Sequence, residues 1–314
     1  MIELKRLYKR YGDKTAVEDF SLTITGNQVI GLLGRNGAGK STTMNMMTGC
    51  LPPSAGSVTV GGFDMLEQPE KAKRLLGYLP EHPPLYPDMT VSEYLRFAAG
   101  LKGVKGEAAR AETGMAMEAL SVGDVRNRLI RQLSKGYRQR VGIAQAILGR
   151  PAYVILDEPT AGLDPIQIRD VRDLIRDLGA RCSVVLSSHI LPEAADICRH
   201  IVIMHEGKIV VSDSTESLIN DNGRLIVRAG AEMLEQRLRL IPGVEDVRRL
   251  DRAEEGAWDY RIDCKPGADV RREIAAACHD AGAGPLMLRP VQATLEEVFL
   301  QAIQTGGCAD GPNE

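Results

Sequence analysis

An eight-residue segment in the first fifth of the chain has the composition of a phosphate-binding loop. It follows the pattern G-x-x-x-x-G-K-[S/T], whose glycines let several backbone N–H groups point at phosphate oxygens. Lys40 would reach the outer phosphates, the Ser41 hydroxyl would bind Mg²⁺, and the next helix would present its positive dipole end. The predicted phosphate contacts are Gly34, Arg35, Asn36, Gly37, Ala38, Gly39, Lys40, Ser41 and Thr42.

Two adjacent carboxylates, Asp157 and Glu158, follow the apolar run Tyr153–Leu156. Because neighbouring residues of a strand point to opposite sides, the two acids can take different roles. We expect Asp157 to hold Mg²⁺ and Glu158 to polarise an attacking water, since phosphoryl transfer depends more on positioning than on covalent chemistry. A solvated acidic pair is the alternative, and the presence of the phosphate loop argues against it.

Three short apolar runs predict the buried strands that would position these residues: Val29–Leu33, Tyr153–Leu156 and Ser183–Ser187. Between the last two, apolar residues recur at helical spacing over Val171–Leu178, which indicates an amphipathic helix. A strand, a helix and a strand require a crossover connection, so these two strands should be parallel. The pattern favours an α/β domain with a covered parallel sheet.

The rest of the chain changes character twice. Between 80 and 149 several prolines precede a helix-rich stretch, which predicts a helical subdomain with helices over Val91–Ala99, Glu107–Leu120 and Gly136–Leu148. A turn cluster at 220–223 marks a boundary, and beyond it the elements follow the β-α-β-β-α-β order of the ferredoxin-like fold. We therefore predict domains over 1–220 and 224–304, the second a small α+β domain, and a disordered tail over 305–314.

The composition excludes several classes of protein. The 314 residues are 44% hydrophobic and 26% charged, which is not typical of disordered or collagen-like chains. The net charge of −3 gives no drive toward nucleic acid, so no nucleic-acid partner is expected. No apolar run reaches the roughly 18–20 residues of a membrane helix, and no secretory signal is visible, so we expect a cytoplasmic protein. The six cysteines form no Cys-x-x-Cys pair and are expected to be reduced.

The segment Leu133–Gln139 separates this chain from other proteins with a phosphate loop. Its sequence resembles the Leu-Ser-Gly-Gly-Gln signature of ABC-type ATPases, the nucleotide-binding subunits of ABC transporters, with Lys135 and Tyr137 as departures. Its form resembles the exporter branch that includes the gliding-motility type. The resemblance implies that Ser134 and Gly136 contact ATP bound to a partner subunit, so that a complete site needs two chains arranged head to tail.

Other residues match the same family. Tyr11 matches the aromatic residue that stacks on adenine, with a core or surface tyrosine as the alternative. The resemblance implies that Asp164 lies in a loop that contacts the opposite subunit, and that His189 is the switch histidine that senses the γ-phosphate. His189 joins Lys40 and Glu158 in the predicted catalytic set.

Glu81 departs from the family pattern, which has glutamine at this position. The family's glutamine contacts Mg²⁺ and water and couples to the membrane subunit. A carboxylate still offers an oxygen ligand to Mg²⁺, but it also places negative charge near the γ-phosphate. We expect Glu81 to do the same job with an altered metal dependence.

The resemblance implies the ATP-hydrolysing subunit of a membrane exporter, with ATP as substrate and Mg²⁺ as cofactor. The implied partners are a second ATPase subunit, as a homodimer, and polytopic membrane permease subunits that dock near His82–Leu95. This would place the protein peripherally on the cytoplasmic face of the cell membrane. The alternatives are a soluble ABC ATPase and an ATP-binding regulator that is not coupled to transport.

Overall fold

The computed structural model of the chain describes residues 1–220, 223–230, 234–254, 256–265, 267–282, 284–291 and 294–306. The chain divides into two compact units, the first containing Met1–Asp213 and the second Ser214–Gln301. Of the tail predicted over 305–314, residues 307–314 lie outside the described residues, as do 221–222 at the predicted domain boundary. The domain limits drawn from the sequence therefore stay predictions.

The described residues contain fourteen strands. In chain order they are β1 (Ile2–Tyr11), β2 (Lys14–Ile24), β3 (Val29–Leu33), β4 (Ala55–Val60), β5 (Phe63–Asp64), β6 (Leu76–Leu79), β7 (Tyr153–Leu156), β8 (Ser183–Ser188), β9 (His200–His205), β10 (Lys208–Ser214), β11 (Arg224–Ala229), β12 (Val244–Glu254), β13 (Ala257–Cys264) and β14 (Met287–Pro290). The three strands predicted around the candidate site correspond to β3, β7 and β8.

Eleven α-helices lie between and after these strands in the same part of the chain. They are α1 (Lys40–Met47), α2 (Pro69–Arg74), α3 (Val91–Leu101), α4 (Gly106–Ala119), α5 (Lys135–Ile147), α6 (Pro165–Gly179), α7 (Leu191–Ile197), α8 (Thr215–Asn220), α9 (Leu234–Arg239), α10 (Arg271–Asp280) and α11 (Leu295–Gly306). Among these described helices, none combines the length and the apolar composition that crossing a bilayer requires.

A six-stranded sheet in the order β10-β9-β3-β8-β7-β6 forms the centre of the first unit. β3 is parallel to β8 and β9, and β7 is parallel to β6 and β8, which confirms the parallel pairing predicted for β7 and β8. Every residue of β3, β7 and β8 is buried, as expected for strands covered on both faces. Because these strands are neighbours, their carboxyl ends bring the segments that follow them to one edge of the sheet.

The first unit also contains an antiparallel sheet, in the order β2-β1-β4-β5, that the hydrophobic pattern did not predict. The register of β1 against β2 shifts between Leu4 and Leu7, and Arg6 and Asp19 both have a φ of 45°. Such bulges break the strict alternation of apolar and polar residues on which strand prediction depends. Leu4 and Leu7 are nevertheless buried, so this sheet adds to the main core of the unit.

Three helices, α3, α4 and α5, occupy the stretch predicted to be helical, each within two residues of its predicted ends. α3 begins with a capping box, in which the Thr90 hydroxyl accepts from the Glu93 N–H and the Glu93 carboxylate accepts from the Thr90 N–H at 2.8 Å. At the end of α5, the Lys102 ammonium donates to the carbonyl oxygens of Ala146 and Leu148 at 2.9 and 2.8 Å. Burial lowers the pKa of Lys102 to about 8.

The second unit is built on an antiparallel sheet in the order β12-β13-β11-β14. Along β13, buried Tyr260, Ile262 and Cys264 alternate with charged residues and pack in a core shared with α9 and α10. On the other face, Arg228 donates to both carboxylate oxygens of Asp259 at 2.8 and 3.1 Å. The sheet therefore has one apolar face and one charged face.

Candidate active site

The loop between β3 and α1 lines a cavity of about 540 Å³, a size suited to a nucleotide. Gly39 has a φ of 101°, and a Cβ added there would lie 2.6 Å from the carbonyl oxygen of Ala16, so only glycine fits. Gly34 is the one predicted phosphate contact that does not line the cavity among the residues described. The lining residues are Tyr11, Lys14, Ala16, Arg35, Asn36, Gly37, Ala38, Gly39, Lys40, Ser41, Thr42, Glu81, Glu158, Ala161 and His189.

The ammonium group of Lys40 is buried within the loop. It donates to the carbonyl oxygen of Gly34 at 2.8 Å and lies 3.6 Å from Oε1 of Glu158. Because a buried cation is costly without partners, these two groups stabilise the charge where it is. Gly34 thus contacts Lys40, and Lys40 in turn lines the cavity.

Asp157 and Glu158 follow β7, and both are buried. Oδ1 of Asp157 accepts from the Ser41 hydroxyl at 3.2 Å and from the Ser187 hydroxyl at 2.6 Å. Glu158 instead contacts Lys40 through Oε1 and Nδ1 of His189 through Oε2, the latter at 2.8 Å. The carboxylate groups of the two acids therefore have separate sets of partners.

Strand alternation does not explain this separation, although the sequence pattern suggested it. β7 ends at Leu156, and Glu158 has a φ of 48°, so its side-chain direction is not set by a pleated strand. Residues with a Cβ rarely adopt this left-handed conformation, which persists only where the surroundings hold it. The Glu158 N–H donates to Oγ of Ser187 at 2.8 Å.

Three other predicted site residues, Tyr11, Glu81 and His189, line the same cavity. Tyr11 ends β1 and is 51% exposed, which excludes a core tyrosine and leaves the ring available for stacking. Glu81 is exposed and follows β6, whose neighbour β7 leads to the two acids. His189 follows β8 with its ring beside Glu158. The structure thus brings these residues together with Lys40.

The oxygen donors near Asp157 suit Mg²⁺. The Ser41 hydroxyl and the Asp157 carboxylate are hard oxygen ligands 3.2 Å apart. In the part of the chain that the structure describes, no group of three or more His, Cys, Asp or Glu side chains could hold a metal ion. Mg²⁺ does not require such a group, because it commonly binds through one or two protein oxygens together with substrate phosphates. The residues present therefore fit this cofactor.

Ser134 and Gly136, predicted to contact ATP on a partner subunit, do not line this cavity. Ser134 is exposed and caps α5, since its hydroxyl accepts from the Tyr137 N–H at 3.3 Å. Gly136 is buried, and a Cβ there would lie 2.4 Å from Oε1 of Gln167. Tyr137, which departs from the signature, donates its hydroxyl hydrogen to Asp124 at 2.8 Å. The tyrosine at this position is therefore held by a hydrogen bond within the chain.

Asp164 has a structural role that was not predicted from the sequence. It is the N-cap of α6, and its Oδ1 accepts from the N–H groups of Ile166 and Gln167 at 3.0 and 2.9 Å. The available signal was the pair Asp164-Pro165, because proline is favoured at the first position of a helix. The predicted contact of Asp164 with a second subunit stays a prediction.

Comparison with known proteins decides the family. The ABC transporter family profile matches residues 17–161. The chain is 37% identical over 209 residues to the uncharacterized ABC transporter ATP-binding protein YxlF of Bacillus subtilis, covering 67% of this chain and 69% of YxlF. It is 34% identical over 225 residues to the lipopolysaccharide export system ATP-binding protein LptB of Haemophilus influenzae, covering 70% of this chain and 93% of LptB. The chain belongs to the ABC transporter ATP-binding proteins.

Solved structures agree with this ABC ATPase assignment. An ATP-binding subunit of an ABC transporter aligns with a TM-score of 0.65 at 30% identity, covering 69% of this chain and 91% of that one. The dimeric bacterial ABC transporter cassette MJ0796 aligns with a TM-score of 0.64 at 25% identity, covering 68% of this chain and 99% of that one. The ABC ATPase fold thus accounts for about 70% of this chain, which also carries the antiparallel C-terminal sheet.

One residue of this ABC ATPase site was not identified from the sequence. Ser187 is fully buried at the end of β8 and contacts both acids. A polar residue at a buried strand position must find a hydrogen-bond partner, and that was the only signal available. The identity of the partner depends on which strands are neighbours, so the sequence alone could not supply it.

Proposed function

We propose that this ABC ATPase is the hydrolytic subunit of a membrane exporter and drives transport through separate membrane-spanning subunits. The main support is that one cavity is lined by Lys40, Ser41, Glu158 and His189. Asp157 accepts a hydrogen bond from Ser41 beside it. This combination supplies a cation for phosphate, oxygen ligands for a metal and a carboxylate for water. The name of LptB, an export-system protein, supports the direction of transport.

The residues of the cavity divide the work of binding ATP. The N–H groups of residues 35–42 and the Lys40 ammonium bind the β- and γ-phosphates, and the N-terminal end of α1 adds its dipole. Ser41 and Asp157 hold Mg²⁺, which when bound neutralises negative charge on the phosphates. The exposed ring of Tyr11 stacks on the adenine base.

Glu158 and His189 act on the water that attacks the γ-phosphate. Glu158 accepts a hydrogen bond from this water and orients its oxygen, which forms a bond to the γ-phosphorus as the bond to the β–γ bridging oxygen breaks. ADP leaves with the bridging oxygen, and the proton lost by the water passes to the released phosphate. His189, 2.8 Å from Oε2 of Glu158, keeps the carboxylate in position, and its exposed ring contacts the γ-phosphate. Lys40 lies 3.6 Å from Oε1, so phosphate oxygens compete with Glu158 for the same cation.

Two chains pair head to tail to complete each site. Ser134 and Gly136 of one chain bind the γ-phosphate held by the other, and Asp164 lies at the contact between the chains. Support comes from the exposed N-terminus of α5, because a helix N-terminus attracts anions and neither residue lines the cavity of its own chain. The dimeric cassette that resembles this chain adds further support.

The membrane partner docks on a cluster of three aromatic residues, one just before α3 and two within it. Tyr86 and Phe97 are 47% and 38% exposed, with ring centroids 5.4 Å apart, and Tyr94 lies 5.9 Å from Tyr86. Exposed aromatic residues in a cluster are typical of protein interfaces. This docking would hold the subunit on the cytoplasmic face of the membrane.

We also propose a narrower class for the ATPase and a fold for its C-terminal domain. The form of the segment 133–139, together with Glu81, supports an exporter ATPase of the gliding-motility type. The C-terminal domain is ferredoxin-like, which is supported by its strand order and by helices that follow its first and third strands. It regulates or stabilises the dimer.

Steady-state ATP hydrolysis by the full chain tests the enzymatic part. Glu158→Gln should lower turnover by about 100-fold or more while ATP still binds, because only the water-orienting carboxylate is lost. Glu107→Gln, an exposed change of the same kind on α4, is the control and should leave turnover unchanged. Equal turnover in wild type and Glu158→Gln would contradict the role of Glu158.

Recovery from membranes tests the transport part. A tagged chain purified from detergent-solubilised membranes should bring with it a polytopic membrane protein, and Tyr86→Ala with Phe97→Ala should weaken that recovery without lowering basal hydrolysis. Hydrolysis with no membrane partner would favour a soluble ABC ATPase.

Glu81→Gln should change the Mg²⁺ concentration needed for half-maximal turnover, and an unchanged requirement would remove the special role of Glu81.

A further inference from the structure

We infer that Ser187 is a positioning residue that holds both acids of the hydrolysis site through a single hydroxyl group. The inference rests on the proposed function, since it gives Ser187 a part in ATP hydrolysis. Ser187 pairs with Leu32 of β3, is 0% exposed and does not line the cavity. It therefore cannot contact the substrate directly and must act through its neighbours.

The hydroxyl group of Ser187 has one hydrogen to donate and two lone pairs that accept. It donates to Oδ1 of Asp157 at 2.6 Å, a distance typical of a hydrogen bond to a charged oxygen. It also accepts from the backbone N–H of Glu158 at 2.8 Å. One hydroxyl thus joins the side chain of the first acid to the backbone of the second.

The contact with Glu158 fixes an unusual backbone conformation. Glu158 has a φ of 48°, which places its side chain between Lys40 and His189. If the hydroxyl is removed, the Glu158 N–H loses this acceptor, and the left-handed conformation loses the contact that holds it. The carboxylate would then leave the position from which it orients water.

The contact with Asp157 fixes the orientation of the metal-binding carboxylate. Two hydroxyls approach the same oxygen, from Ser187 at 2.6 Å and from Ser41 at 3.2 Å. Ser41 is itself a proposed Mg²⁺ ligand, so it is not a dedicated support for the carboxylate. Ser187 contacts Asp157 from within the sheet, and it is not itself a proposed ligand of nucleotide or metal.

The adjacent residue supplies a matched control. Ser188 is also buried at the end of β8, but among the described residues its hydroxyl hydrogen-bonds with Ile190 alone, accepting from the N–H at 2.9 Å and donating to the carbonyl at 3.4 Å. A change from serine to alanine removes the same atom at both positions. Only at position 187 does that atom contact the acids.

Single substitutions in the full chain test the inference. Ser187→Ala should lower kcat by about tenfold to a hundredfold, a loss typical of a misplaced catalytic group, with KM changed by less than about twofold. Ser187→Thr, which restores a hydroxyl, should recover most of kcat, and Ser187→Cys, which keeps the volume without a comparable hydrogen bond, should behave like Ser187→Ala. Ser188→Ala should stay within about twofold of wild type.

Equilibrium binding gives a second measurement that does not depend on turnover. The ratio of the ATP dissociation constants without and with Mg²⁺ should fall several-fold in Ser187→Ala, because Asp157 is less well oriented for the metal. Ser188→Ala should keep the wild-type ratio. An unchanged ratio in a Ser187→Ala protein that melts near the wild-type temperature would overturn the role of Ser187 toward Asp157.

Comparison with Glu158→Gln separates failure of this inference from failure of the proposed function. If Glu158→Gln abolishes turnover while Ser187→Ala and Ser187→Cys keep wild-type kcat, the positioning role is wrong and the ATPase stands. If Glu158→Gln has no effect, the proposed function itself fails. At saturating Mg²⁺ and ATP, adding Ser187→Ala to Glu158→Gln should lower turnover much less than adding Ser187→Ala to the wild type does, and an equal loss in both backgrounds would contradict action through Glu158.

Discussion

The two units of the molecule use charged residues in different ways. At the candidate active site Lys40, Asp157 and Glu158 are buried, and Glu158 contacts Lys40, His189 and Ser187 at once. In the C-terminal sheet Arg228 and Asp259 form a bidentate ion pair with two hydrogen bonds, and both side chains are partly exposed. Burial of charge is costly, so an arrangement such as the cavity is expected where charge does chemical work.

The difference predicts how each unit responds to substitution. A buried group with several partners leaves each of them unsatisfied when it is removed, so its loss spreads through the site. A partly exposed ion pair is replaced by water on both sides, so its loss stays small and local. The first unit should therefore lose function where the second loses only a little stability.

Lys40→Met should have the largest effect, because it removes the buried cation that we propose binds phosphate and it leaves Glu158 without this ionic partner. We expect ATP binding to weaken by about 100-fold or more, in line with about 2–5 kcal/mol for a buried charged partner. Lys14→Met, which removes an exposed lysine from the same cavity, should weaken binding by less than about threefold. Equal losses in a binding titration would contradict the central role of Lys40.

Gly39→Ala should destabilise the protein by about 2–4 kcal/mol, since it combines a φ of 101° with overlap of the new Cβ on the Ala16 carbonyl. Gly12→Ala is the matched control, with a φ of 56° and open space around the new Cβ, and should cost about 1 kcal/mol. Urea unfolding of the two variants measures the difference. A Gly39→Ala protein as stable as Gly12→Ala would show that the loop can relax.

Tyr11→Ala should raise KM for ATP by about fivefold to tenfold, because a stacked ring contributes roughly 1 kcal/mol. Tyr11→Phe keeps the ring and should stay near the wild-type KM. The hydroxyl group is not needed for stacking, so a large loss in Tyr11→Phe would argue against this role. Steady-state kinetics over a range of ATP concentrations distinguishes the two outcomes.

Asp259→Asn should have the smallest effect, a loss of about 0.5–1 kcal/mol of stability near neutral pH. Hydrogen bonding by Arg228 lowers the pKa of Asp259 below its ordinary value. The stabilisation is therefore present above about pH 4 and is lost as the pH falls through the folded-state pKa. Unfolding measured over pH should show the difference between wild type and Asp259→Asn shrinking on acidification, and a constant difference would contradict the electrostatic origin.

The sequence predicted those features that lie within short segments. The phosphate loop, the acids after Tyr153–Leu156 and the helices between 80 and 149 each depend on neighbours in the chain, and their patterns are strong. The antiparallel sheet of β1, β2, β4 and β5 was missed because bulges interrupt its alternation. The order of elements after Arg224 was predicted, since apolar alternation is regular there.

Contacts between distant segments could not be predicted in the same way. Ser187 and Asp157 are 30 residues apart, and their hydrogen bond exists because β8 and β7 are neighbours in the sheet. The positive φ of Glu158 likewise depends on Ser187. Asp164 is an exception, because its cap could have been recognised from the proline that follows it.

Turnover of two carboxylate-to-amide variants shows directly whether the buried Glu158 carries ATP hydrolysis. Glu158→Gln and Asp259→Asn make the same chemical change, one in the cavity and one in the C-terminal sheet. Steady-state ATP hydrolysis should fall by about 100-fold or more in Glu158→Gln and remain within about twofold of wild type in Asp259→Asn. Turnover retained in Glu158→Gln, or lost equally in both variants, would show that Glu158 does not have this role.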